Sequence, residues 1–174
     1  RALEDPAIQR AILGGPRGAI ALSLVQWADR QDVTIGWLRI ASREDAVGMA
    51  AMIRHAPRRP GDFTCTAAML HHVAAKILPA LPGEADRIVV DVSGDGKDNC
   101  NPTVPTARER DEVVALDVTI NGLPILEGDE KDTLEDWYRQ NVAGGLASFV
   151  LPADGYRDFG RAIRQKFLTE VSRR

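Results

Sequence analysis

The segment Asp91-Val-Ser-Gly-Asp-Gly-Lys-Asp-Asn99 gathers carboxylate, hydroxyl and amide oxygens within one short stretch, directly after the apolar phrase Ile88-Val-Val. Hard oxygen donors converging at a strand end are the donor type that Mg²⁺ or Ca²⁺ selects, and Asp95 is the strongest single candidate. The competing reading is a turn, in which Asp91 and Ser93 cap backbone groups and Asp95-Gly96 bends the chain. Acidic or hydroxyl residues at alternate positions, with a glycine sixth, resemble a calcium-binding loop. The twelfth position is Pro102 where a bidentate Glu is required, so the calcium-loop reading fails.

Other chemistry-bearing residues form no comparable pattern. His71 and His72 are neighbours on a predicted helix and face different directions, which is poor geometry for one metal, and His55 precedes Pro57 with no patterned ligand nearby. All three read as structural or surface residues. Gly14-Gly-Pro-Arg-Gly fails the phosphate-loop pattern, and no Ser elbow stands with a paired His and acid. An enzyme is therefore not expected. Trp27, Trp37, Trp137 and Tyr138 lie inside predicted strands and helices and read as packing residues, while Glu127-Gly-Asp-Glu-Lys-Asp132 reads as a solvated acidic loop.

The elements that must position these residues follow from periodicity and punctuation. Arg1 to Leu13 is a helical phrase ended by Gly14-Gly15-Pro16; Ala19–Trp27 is a nearly continuous apolar strand. The short link Asp29–Asp32 into Val33–Ile40 allows only an antiparallel hairpin. Ser42 with Asp45 starts a helix over 43–56, and a second full helix runs from Thr66 to Pro79. Strand Arg87–Ser93, helix Thr103–Leu116, strand Val118–Leu123, helix Thr133–Val142, strand Ala147–Leu151 and a helix over 155–172 complete the reading. This alternation predicts an α/β fold, doubly wound, with a mainly parallel sheet, one antiparallel edge strand and helices on both faces.

With 174 residues, 44% hydrophobic and 27% charged, a single soluble domain spanning 1–174 is expected. The net charge of −3 offers no attraction for nucleic acid or an anionic membrane. The longest apolar run, Gly18–Ala28, is well short of the roughly 20 residues that cross a bilayer, so no membrane-spanning segment is expected. The opening in mid-helix, without Met, makes a processed or truncated N-terminus the expectation. The pair Cys65 and Cys100 is either one disulfide or two free thiols, and the count does not decide between them.

Taken in order, the phrases Gly18-Ala-Ile-Ala-Leu-Ser-Leu-Val-Gln-Trp-Ala, Phe63-Thr-Cys-Thr-Ala-Ala-Met-Leu, Ile88-Val-Val-Asp-Val-Ser-Gly-Asp-Gly-Lys-Asp-Asn, Thr119-Ile-Asn-Gly-Leu-Pro-Ile-Leu and Phe159-Gly-Arg-Ala-Ile-Arg-Gln-Lys-Phe cover almost the whole chain. Together they resemble the von Willebrand factor A domain, closest to a bacterial, exported A-type family without an assigned function. That resemblance implies a metal-ion-dependent adhesion site built from an Asp-x-Ser-x-Ser motif after the first strand, a loop threonine and an aspartate after the fourth strand. Matched by position, Thr64 is the threonine and Asp95 the aspartate. The first motif has no match, because the chain opens within what the resemblance makes the first helix. An upstream segment of about 25 to 35 residues, one strand plus most of a helix, is therefore expected. Asp91 and Ser93 mimic the missing motif and are supporting candidates only; Asp95 stands at its fifth position and no threonine loop follows.

The implied cofactor is a divalent cation, Mg²⁺ first and Mn²⁺ or Ca²⁺ next, and the implied function is metal-assisted binding of a protein partner. A metal-free structural or assembly subunit is the alternative reading. The resemblance also brings Cys65 and Cys100 to one rim, which favours a disulfide over two buried thiols and agrees with a periplasmic or secreted setting.

Overall fold

Asp5 starts the first helix with its side chain, which accepts from the backbone N–H of Ala7 (2.8 Å) and Ile8 (3.4 Å). Pro6 at the first helical position has no N–H to leave orphaned. Helix α1 (Pro6–Leu13) follows a 3₁₀ turn at Ala2–Glu4 and buries Ile8 and Ile12. The computed structural model describes residues 1–172 and divides into two units. One comprises Arg1–Gln26, Asp32–Arg59 and the chain from Gly160; the other comprises Trp27–Gln31 and Pro60–Phe159.

In the first unit, β1 (Ile20–Trp27) and β2 (Gln31–Ile40) form the expected antiparallel hairpin, with Ser23 Oγ donating to the Ile35 carbonyl across it at 2.9 Å. Helix α2 (Arg43–His55) starts at Ser42, whose hydroxyl accepts from the Asp45 N–H at 3.0 Å, and the Asp45 carboxylate reaches back to the Ala41 N–H at 2.9 Å. Leu3, Ile8, Ile12, Ile35, Ile40, Ala46 and Met49 make the core, against which Phe167 and Leu168 of the last helix, α6 (Phe159–Ser172), pack. Arg164 of α6 donates to Asp5 at 2.6 Å.

The second unit is built on β3 (Ile88–Gly94) and β4 (Val118–Pro124), which are parallel with Ile88 opposite Val118 and Gly94 opposite Pro124. All seven residues of β4 are buried. Its polar members are satisfied: Thr119 Oγ1 donates to the Leu146 carbonyl at 3.0 Å and Asn121 Oδ1 accepts from the Phe149 N–H at 3.1 Å. Against β4 pack α4 (Thr106–Val114) and α5 (Lys131–Asn141), and α3 (Thr66–His72) packs on α4. Tyr138 of α5 is buried over two glycines, since a Cβ at Gly122 would stand 2.8 Å from its ring and one at Gly94 would stand 2.9 Å from its hydroxyl.

The closing helix expected over 155–172 starts at Phe159, and three further elements differ for reasons traceable to proline or glycine. The second full helix is α-helical only to His72; Val73–Ile77 widens into a π-turn closed by the Leu78 N–H on the Val73 carbonyl, and a 3₁₀ turn Leu78–Ala80 follows. The ring of Pro79 crowds the carbonyl four residues back and supplies no N–H, so the last turn opens. Helix α4 starts at Thr106, not Thr103, because Val104 precedes Pro105 and is steered out of the helical region. The strand expected at Ala147–Leu151 is reduced to isolated bridges, Gly122 with Val150 and Ile125 with Ala153. Pro124 and Pro152 cannot donate to a ladder there, and Gly145 and Ala147 turn the preceding chain with positive φ (86° and 56°).

The packing predicts that Gly122→Ala, which forces Tyr138 and Val150 apart, lowers stability by about 1–3 kcal/mol in denaturant melts. Asp5 gives a pH signature. The Arg164 guanidinium first, and the backbone N–H of Ala7 next, hold its carboxyl below the ordinary 3.8. A depressed native pKa means that this stabilisation is present above the unfolded value and is lost as pH falls through the native one. Asp5→Asn should therefore flatten the loss of stability between neutral pH and about pH 3, read as thermal melts across that range.

Candidate metal site

Beyond β3 the chain turns through Gly94-Asp95-Gly96, and the loop before α3 comes up beside it. Thr64, Ser93 and Asp95 line a single pocket of about 320 Å³ together with Trp27, Ala28, Gly61, Asp62, Phe63 and Gly94. The structure thus brings Thr64, Ser93 and Asp95 together. Asp91, two residues down the strand, does not line this pocket, and Trp27, expected only to pack, does.

The loop bearing Thr64 is shaped by acceptors from elsewhere in the chain. Asp29 accepts from the N–H of Asp62 (3.1 Å) and of Phe63 (2.7 Å). Gly61 passes so close to Ala28 that any Cβ there would collide with the Ala28 methyl. Thr64 and Asn99 bond reciprocally: the Thr64 N–H donates to Asn99 Oδ1 at 2.7 Å, and the Asn99 N–H donates to the Thr64 carbonyl at 3.1 Å. Cys65, at the N-cap position of α3, offers no side-chain cap. Asp98 supplies it from the other loop, accepting from the Ala67 N–H at 2.6 Å and from the Cys100 N–H at 3.0 Å. Cys65 and Cys100 form a disulfide across the same two loops, with Cα atoms 5.0 Å apart.

Asp95 is exposed, and its carboxylate accepts a hydrogen bond from the Tyr156 hydroxyl. That bond, with smaller contributions from burial and from the charges of Asp95 and Glu127, pushes the Tyr156 pKa up to about 12, so it is a donor at neutral pH. Tyr156 is itself placed by its N–H on Glu127 (3.0 Å). Glu130 accepts from the Lys97 N–H at 2.8 Å, and Lys97 Nζ reaches Thr133 Oγ1 at 2.7 Å. The acidic run, expected as a solvated loop on the same face as the site, supplies Glu130 to the Lys97 N–H and Glu127 to the Tyr156 N–H. Beneath the pocket the Tyr138 hydroxyl is buried without a hydrogen-bond partner among the described residues. Burial, and then the Asp95 charge, push its pKa far above the usual phenol range.

The donor set fits a hard divalent cation. It is all oxygen, two hydroxyls and a carboxylate, and the turn passes close to the Thr64 hydroxyl at a glycine: a Cβ at Gly96 would stand 3.2 Å from Thr64 Oγ1 and 3.5 Å from Glu130 Oε2. Sequence reading missed Asp98 as a cap, Glu130 and Tyr156 as partners, and Tyr138 as the buried hydroxyl. Each acts across 30 or more positions in the chain, and only the Asp98-Asn99 end of the polar run signalled anything.

Solved structures place the fold. Proximal thread matrix protein 1 from the mussel byssus aligns with a TM-score of 0.66 at 18% identity, over 97% of this chain and 41% of that one. A structure of the same protein "with zinc occupied MIDAS motif" aligns with a TM-score of 0.67 at 18% identity, over 98% and 42%. The chain thus spans about two fifths of that neighbour's length. No curated protein matches. The fold is of the von Willebrand factor A type, a mixed α/β arrangement with one antiparallel and one parallel small sheet. Within it, the chain belongs to the family described as "Protein of unknown function (DUF1194)", matched over residues 1–174.

The loop clamp carries a stability prediction. A disulfide closing a 35-residue separation contributes about 4 kcal/mol by restricting the unfolded chain. Replacing both cysteines by serine should cost about 2–4 kcal/mol, and Asp98→Ala about 1–2 kcal/mol more, both read from urea melts.

Proposed function

We propose that this chain is a protein-binding module in which Thr64, Asp95 and, in support, Ser93 help to hold a divalent cation, Mg²⁺ in the first instance. The observation that carries this reading is that these three residues line one pocket at the end of β3. Support comes also from the fold's likeness to a protein with a metal-occupied motif of this kind. A cation bound by hydroxyls and a carboxylate keeps coordination positions for a carboxylate of the partner, and this is the chemistry it would supply. The chain's own residues position the donors: Asn99 orients the Thr64 backbone, Asp98 and the disulfide fix the loop, and Tyr156 orients Asp95. Phe63 and Tyr156, 53% and 57% exposed at this rim, are the apolar surface a partner would cover. The module is not an enzyme, and the disulfide suits an exported, oxidising setting. The doubly wound sheet with helices on both faces belongs to the same proposal.

A metal-free scaffold is the second reading, favoured by one observation: Asp95 is already satisfied by the Tyr156 hydroxyl. Calorimetric titration of the full-length native chain with Mg²⁺ and Mn²⁺ separates the two. Saturable binding that weakens at least about tenfold in Asp95→Ala supports the metal-dependent module. Absence of binding, with Asp95→Ala indistinguishable from the parent, leaves the scaffold.

A further inference from the structure

Helices α3 and α4 together carry a second set of donors, none of which lines the Asp95 pocket. His71 of α3 faces Glu109 and Glu112 of α4, and one ligand atom from each lies within 4.8 Å of the others. Glu109 and Glu112 are three residues apart and share a helix face; His71 comes from the neighbouring helix.

The spacing of the three donors and the burial of Glu109 suit a shared cation. His71 Nδ1 lies 3.3 Å from Glu109 Oε2, slightly outside the usual hydrogen-bond range. Two ligands each about 2.0–2.1 Å from one tetrahedral Zn²⁺ stand about 3.3 Å apart, which is the separation observed. Glu109 is also only 6% exposed, and its single side-chain partner among the described residues is this imidazole. A buried carboxylate needs a compensating charge, which a cation held among these three groups would supply. The third donor can turn inward, because among the described residues Glu112 is paired with Arg108 at 3.4 Å, in an exposed pair of little energetic value.

We propose that His71, Glu109 and Glu112 form a second, zinc-type metal site that bridges α3 and α4. One nitrogen and two carboxylates are a donor set that Zn²⁺ accepts, with a fourth position left to water because the His71 and Glu112 side chains are 68% and 51% exposed. The bridge joins two helices whose preceding loops are already linked by the Cys65–Cys100 disulfide and by Asp98. An ion there would stiffen the frame that carries Thr64, without itself meeting a partner at the pocket.

The test uses the full-length chain carrying Asp95→Ala, so that the pocket's contribution is removed, with Zn²⁺ alone as the probe. One equivalent of Zn²⁺ should bind and raise the melting temperature. Adding His71→Ala should weaken that binding at least about tenfold and remove the thermal shift, and Glu112→Gln should act in the same direction. Both side chains are largely exposed, so circular dichroism of the metal-free variants should match the parent. Zn²⁺ binding unchanged by His71→Ala, or absent from the Asp95→Ala chain, overturns the proposal. Because every arm lacks the Asp95 carboxylate, neither result bears on the pocket.

Discussion

A helix whose N-cap residue has no suitable side chain must find its acceptor elsewhere, and α3 finds it in Asp98. That carboxylate takes the Ala67 N–H and the Cys100 N–H at once, drawing the loop after β3 onto the start of α3. The Thr64–Asn99 pair and the disulfide then close the same gap at the two positions on either side of it. Two of the candidate ligands in the pocket stand on the joined loops, Thr64 on one and Asp95 on the other, while Ser93 is held by β3. Satisfying orphaned backbone donors with side chains from a distant loop is a stability requirement, and here it also assembles a site.

Glycine does the complementary work. At Gly94 and Gly122 the lack of a Cβ admits Tyr138 against the parallel pair β3 and β4; at Gly96 it admits the close approach of Thr64 and Glu130. The pocket is therefore defined as much by atoms withheld as by donors supplied. The buried Tyr138 hydroxyl, near the Asp95 charge and without a partner among the described residues, is the unsatisfied polar group that this arrangement tolerates beside its candidate site.

Proline explains where element boundaries and periodicity part company. The apolar stripe Ala67, Leu70, Val73, Ile77 is helical in spacing and buried as a helix face, yet the ladder above it loosens before Pro79. The run Ala147–Leu151 carries strand-like residues but lies between a positive-φ turn and Pro152, and it meets β4 only at bridges. Hydrophobic spacing reports which face is buried. It does not report whether every backbone group has a partner, and the latter sets where an element stops.

By itself the sequence determined the local and the periodic: the hairpin of β1 and β2, the Ser42 cap, the strands β3 and β4, and the oxygen-rich turn at Asp95. These depend on neighbours within a few residues, so spacing alone carries them. Resemblance added Thr64 and the pairing of the two cysteines. Tertiary structure alone decided that Asp98 caps α3, that Tyr156 and Glu130 hold the Asp95 turn, that Trp27 lines the pocket while Asp91 does not, and that His71 meets Glu109. Each of those contacts joins segments far apart in the chain. No one-dimensional period encodes a meeting of that kind, because it is set by how strands and helices pack.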